Sequence, residues 1–421
     1  MEKKRMAWFR GEGGFILITL YLLLVVFLAH ATALVTRSFA EIRGAERFQQ
    51  AGQAFYLAEA GLDRGFRWLQ TQVPPPGGTV LIDPLGGWQN QGAGQYRFTV
   101  DPDDANPASF IDRYVIEGWG TVGNAARHTR LIVQTESFSR YAWYTNSELS
   151  PTGGQIVFRT GDVITGPMHT NGQFRLNGTP QFSGGPASSV SATVNLSNGA
   201  TIAGSFLAGI ELGVTAPAVP FPSVVPPALV AASQPVNGGK QFNGNTQITL
   251  LSNGTMQVNG GAPEALPANG VVYVNNGDLT LQGTLKGQLT IATNKDVRVA
   301  GPVRYATDPT VPNSNSTDLL GIVAGKNIIV NQVAYQNMRI DASLMALNTS
   351  FSVQNYSSGS PRGILTVLGG IIQKNRGAVG LVGNNAPGYL KNYIYDGRLI
   401  NTTPPLFPTT GAYTTLVWEE Q

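Results

Sequence analysis

The sequence predicts an α+β protein: one long N-terminal helix, a small antiparallel sheet, and then a larger mainly-β region. Three observations carry this. An apolar run from Phe15 to Val35 continues directly into an amphipathic pattern, three alternating apolar and polar runs follow between Gln95 and Thr135, and farther on a short Gly/Asn turn unit recurs.

The helix comes first. At 1.5 Å of rise per residue, roughly 20 apolar residues cross a bilayer core of about 30 Å, and Phe15 to Val35 contains no Asp, Glu, Lys or Arg. From there the apolar residues fall at Phe48, Ala51, Phe55, Ala58, Leu62, Phe66 and Leu69, steps of three and four that draw one stripe. Pro74, Pro75 and Pro76 end the pattern. As one rod, Phe15 to Gln72 is about 85 Å long. Lys3, Lys4, Arg5 and Arg10 outweigh Glu2 and Glu12 ahead of the span, which orients the N-terminus to the cytoplasm with a single pass of the membrane. A secretory signal would end in a small-residue cleavage site and an unrelated mature domain, whereas here the apolar run becomes an amphipathic helix. His30, near the outer end of the span, reads as bonded to a backbone carbonyl or snorkelling.

The Gly13-Gly14-Phe15 junction, the apolar run behind it and the segment QQAGQAFYLAEAGLDRGFRWL together resemble type IV pilins, specifically the PilX-like minor pilins. The resemblance covers roughly the first third of the chain. It implies a leader over 1–14, cut by a prepilin peptidase between Gly14 and Phe15 with methylation of Phe15, and a transmembrane and amphipathic helix over 15–72 that packs among other pilin subunits. It further implies the pilus assembly machinery as a partner, passage from the inner membrane to the periplasm or a cell-surface pilus, and a role in assembly or adhesion. Major pilins carry a glutamate at the fifth mature position; here that position is Thr19, which favours a minor or tip subunit. Phe15, Thr19, Phe48, Phe55, Leu62 and Phe66 are the expected assembly residues. A second reading is an unprocessed, membrane-anchored envelope protein.

Over 79–136, Tyr96, Phe98 and Val100 alternate with Gln95, Arg97 and Thr99, and the runs Arg113 to Val122 and Arg127 to Thr135 complete a meander. Its apolar face is the expected partner of the helix stripe, giving a small pilin-like sheet. The segment Asp101 to Pro107 concentrates carboxylates but lacks the glycine and downstream glutamate of a calcium loop, so a solvated turn is expected. Ser137 to Thr152 reads as a junction.

From 150 to 388 the recurring unit appears as TGDVITG at Thr160, TNGQFRLNG at Thr170, SNGTMQVNG at Ser252, NNGDLTLQG at Asn275, TNKDVRVAG at Thr293 and AGKNIIVNQ at Ala324. Units this short bury an apolar face only by stacking, so a parallel β-helix or solenoid is expected, with a β-sandwich as the alternative. The proline-dense stretch 214–236 is a strap or an excursion, and 389–421 is expected to cap the open end.

Composition excludes several chemistries. Charged residues are only 13% of the chain and Gly numbers 51, a turn-rich β composition, while a net charge of +3 without a dense basic patch gives no nucleic-acid footprint. The absence of cysteine excludes disulfides and thiolate metal sites. No catalytic residues, metal or cofactor are assigned. His169 with Asp162 one unit earlier, and the isolated Asp278, Asp296, Asp308, Asp318 and Asp341, read as turn residues rather than as an enzyme's groups. A glycan remains a candidate ligand of the head.

Overall fold

A computed structural model of the chain describes residues 13–72, 75–78, 80–102, 110–213, 218–331, 335–383 and 385–421. The basic leader, Pro74 and most of the acidic segment 101–107 lie outside the described residues. The fold class is α+β: one long helix followed by a mostly-β region of several sheets.

The helix runs unbroken from Gly13–Thr71. Its second half lies on a five-stranded antiparallel sheet ordered Gln89–Gln91, Gly94–Pro102, Arg113–Val122, Ala125–Ser137 and Thr409–Glu420. Tyr96, Phe98, Val100, Ile116 and Val133 alternate onto the buried face, where they meet Leu62 and Leu69. The fifth strand comes from the end of the chain. The tail therefore does not cap the open end of the β stack as expected: Gly388–Ile394 pairs inside the stack, and Thr409–Glu420 returns to the sheet. The reason is covalent geometry. The chain leaves this sheet at Ser137 and re-enters it at Thr409, where the preceding Pro408 carbonyl accepts the Phe138 N–H at 3.0 Å, so everything between is a long insertion between two neighbouring strands.

Among the described residues, pairing inside the insertion is parallel apart from the short antiparallel ladder Thr246–Leu251, Thr255–Val258 and Glu264–Ala265 and the isolated antiparallel bridges of Leu149 with Gln155 and Gly380 with Gly388. Three of the repeat units stack directly, with Leu279 level with Val297 and Val297 level with Ile328. The Asn-Gly turns make that stacking close: Asn276 takes the left-handed region (φ 55), and a Cβ on Gly277 would sit 1.9 Å from the Gly244 carbonyl carbon. The unit at Ser252 departs from the expectation by folding back antiparallel.

The longest parallel row does not follow chain order. From one end it runs Ile210–Leu212, Ala187–Ser189, Met168–Thr170, Trp143–Ser147, then Pro361–Asn375, Arg339–Ala346, Leu319–Ala324, Gln288–Thr293, Val271–Asn275 and Lys240–Asn243. The expected junction thus holds a central strand, Trp143–Ser147. The chain enters mid-stack, winds outward to Leu212, crosses to the far end at Lys240, and winds back until Ile371 lies beside Trp143.

The proline-rich segment makes that crossing. Val219, Phe221, Val225 and Leu229 lie over Tyr144, Ile372, Met345, Val323, Ala292 and Val271, the outward side chains of the row. Asn171 Nδ2 donates to the Val219 carbonyl at 2.8 Å, the Val219 N–H donates to Asn171 Oδ1 at 3.0 Å, and Asn348 Nδ2 donates to the Ser223 carbonyl at 2.8 Å. Burial on both faces explains why Val271 to Val274 and Leu319 to Ala324 read as continuous apolar runs rather than as alternation.

Candidate assembly interface

Among the described residues one helix is long and apolar enough to cross a membrane, and none of its most apolar window is buried. Phe15 is 73% exposed, and Leu20, Leu24 and Phe27 are similarly bare. Three polar side chains in the apolar run turn inward on the helix. Thr19 Oγ1 donates to the Phe15 carbonyl at 2.5 Å, Thr32 Oγ1 to the Leu28 carbonyl at 2.9 Å, and His30 Nδ1 lies 3.1 Å from the Val26 carbonyl. Each is satisfied within its own turn, which is what lipid or a tight helix bundle demands. A glutamate at Thr19 would have needed a partner from outside.

The docked half is held by small residues. Ala54 and Ala58 are fully buried, Leu62 nearly so, and Gly61 and Gly65 complete the contact. A Cβ on Gly120 would sit 2.0 Å from the Ala54 carbonyl oxygen, one on Gly118 2.3 Å from that of Ala58, and one on Gly61 2.8 Å from that of Arg97. Helix backbone and sheet backbone are therefore in direct contact, a closeness that only glycine at these places permits.

This corrects the expected stripe in part: its Ala58, Leu62 and Leu69 lie in the contact, and its Phe48 does not. Leu62 faces the sheet, Phe66 packs at the margin of that core, and Phe55 is half-buried beside Tyr56. Phe48, at 84% exposed, touches nothing of the head. At about 100° per residue, Phe48, Phe55 and Phe66 lie roughly 100° round from the line through Ala54, Ala58, Gly61 and Gly65. The alternating four- and three-residue spacing of those small residues and the Gly-Trp-Gly at Gly118 were the signal, one that attention to large apolar residues passes over. The exposed large residues Phe39, Ile42, Phe48 and Tyr56 continue the apolar surface of the span beyond the membrane-length run.

Three comparisons with known proteins bear on this arrangement. Residues 109–191, which reach from the antiparallel sheet into the first parallel strands, match a family model described as a domain of unknown function, DUF4900. No curated protein matches the chain. Among solved structures, the competence-associated pilin ComZ from Thermus thermophilus aligns over 89% of this chain and 98% of its own at 12% identity, with a TM-score of 0.35. A score that low does not establish a common fold.

The acidic residues singled out in the stack are each engaged by backbone. Asp278 accepts the Asp296 N–H, Asp296 the Asn327 N–H at 2.9 Å, and Asp308 the Thr310 N–H at 2.9 Å. Asp318 accepts from Gly287 and Thr307 at 2.7 and 2.9 Å, and Asp341 from Tyr305 at 3.1 Å. They close turns between stacked strands. Asp162 and His169 do not meet: Lys391 Nζ lies 2.5 Å from Asp162, while His169 bonds Ser188 and Asn171 and stacks on Tyr144. Among the described residues no group of three or more His, Asp or Glu could hold a metal ion.

Proposed function

We propose that the chain is a minor pilin of the PilX-like kind, which enters a type IV pilus or pseudopilus by its N-terminal helix and displays the β stack, read as a solenoid, as its head. One observation carries this: a single unbroken helix, Gly13–Thr71, is bare and apolar over its first half and locked backbone-to-backbone onto an antiparallel sheet over its second. A lone membrane anchor needs no rigid coupling between span and head. A filament subunit does, because the head must hold its orientation while the span exchanges lipid for neighbouring helices. Apolar exposure continuing through Phe48 and Tyr56 supports packing that extends outside the bilayer. Thr19, satisfied by its own turn, supports a subunit that recruits no neighbour through a buried charge.

Mass spectrometry of the N-terminus on native protein tests the reading. A chain beginning at methylated Phe15 is the expected result. Recovery of Met1 to Gly14 intact would make it an unprocessed anchored envelope protein instead.

A further inference from the structure

Where the outward-wound and inward-wound parts of the stack meet, one parallel row is interrupted. Phe158–Arg159, Arg175–Asn177 and Asn195–Ser197 form a separate three-stranded sheet, with Phe158–Arg159 at its edge. That edge borders a cleft of about 430 Å³ lined by Arg159, Thr160, Asn177, Asn385 and Leu390, among others. This volume falls in the range of small-molecule sites.

The charge balance beside the cleft is uneven. Glu148 is taken by Arg376 at 2.6 Å, and Asp162 by Lys391 and the Arg159 backbone N–H, at 2.5 and 2.9 Å. That leaves three cations, Arg159, Arg376 and Lys391, against two carboxylates. The Arg159 guanidinium, on a residue only 7% exposed, donates from Nη2 to the Tyr389 carbonyl at 3.1 Å and pairs with no carboxylate among the described residues. Burial above all, with the Arg376 and Arg159 guanidiniums nearby, holds the Lys391 ammonium below its ordinary pKa despite Asp162. A buried cation without a counter-charge costs several kcal/mol, which a bound anion would offset.

We propose that this cleft binds a small hydroxyl-rich molecule carrying an oxyanion, the carboxylate of an acidic sugar or the phosphate of a sugar phosphate. Arg159 takes the anionic group, as a planar guanidinium suits either. Thr160, Asn177 and Asn385 offer hydrogen bonds to hydroxyls, and Leu390 an apolar wall.

The test is titration calorimetry on the full chain in a nonionic detergent, with glucuronate, glucose 6-phosphate and glucose. At least one of the two anions should bind at least about tenfold more tightly than glucose, and more weakly as salt is raised. Preference for glucuronate identifies a carboxylate ligand, and preference for glucose 6-phosphate a phosphate ligand. Arg159→Gln should cost about tenfold or more. Leu390→Phe, which narrows the cleft and leaves Arg159 in place, should also weaken binding and serves if the first variant fails to fold. Glucose binding as tightly as both anions, no heat from either anion at millimolar concentration, or wild-type affinity in a folded variant would overturn the assignment.

Discussion

The Arg376 guanidinium lies 2.6 Å from the Glu148 carboxylate in the interior of the stack, although 228 residues of chain separate them. Glu148 also accepts from Trp143 Nε1 at 3.3 Å and from the Thr145 hydroxyl, and Arg376 lies over the Phe158 ring at 3.6 Å. The pair closes the seam where the last strands of the stack come to rest against the first. Removing Glu148 leaves a buried cation, so Glu148→Gln should lower stability by about 3–5 kcal/mol. The double variant Glu148→Leu/Arg376→Met, which removes both charges, should recover most of that loss in chemical unfolding.

The helix is tied to its sheet by absent side chains. Gly120→Val would drive a Cβ to 2.0 Å from the Ala54 carbonyl oxygen and 2.5 Å from the Ala58 nitrogen, both backbone atoms that cannot rotate away. A loss of about 3 kcal/mol, the upper end of ordinary overpacking costs, is expected in thermal melts of the detergent-solubilised chain.

Phe48 gives the opposite signature. It is exposed on the helix, so Phe48→Ala should leave melting within about 0.5 kcal/mol of wild type. Incorporation into sheared filaments, measured by immunoblot, should fall. Unchanged incorporation would remove Phe48 from the assembly surface.

His169 should make the strap sensitive to acid. Burial lowers its pKa from 6.5, and its hydrogen bond to Asn171 offsets part of the shift. The folded chain then binds this proton less readily than the unfolded chain. The associated stability is complete above about pH 6.5 and is lost as pH falls through that value towards the lower folded one. Melting temperature should drop between about pH 7 and about pH 5, and His169→Gln should flatten that part of the curve. An identical slope in the variant would assign the effect elsewhere.

Much of this was legible in the chain itself. The span, the continuation past Val35 and the Tyr96, Phe98, Val100 alternation follow from local periodicity, and the structure has all three. Leu279, Val297 and Ile328 share a register that the repeat unit foretold. Three matters were not legible. The terminal strand Thr409–Glu420 pairs with Ala125–Ser137, nearly three hundred residues upstream, and an edge strand carries no mark of its partner. The expected stripe found Ala58, Leu62 and Leu69, which are in the contact, but not Ala54, Gly61 and Gly65, because backbone approach leaves only an absence in the sequence. His169 was read as a turn residue, but it lies buried in the strand Met168–Thr170, and the winding order gives Asp162 a partner in Lys391.

The sequence alone determined the local periods: one greasy helix with an amphipathic extension, alternating strands after it, and turn units too small to stand unstacked. These depend on residues within one or two turns of each other, which a linear reading reaches. Tertiary structure decided the order of the strands, the course of the proline segment across both halves, and which buried charges meet. Parallel neighbours are chosen by packing between distant segments, and no short-range pattern encodes that choice.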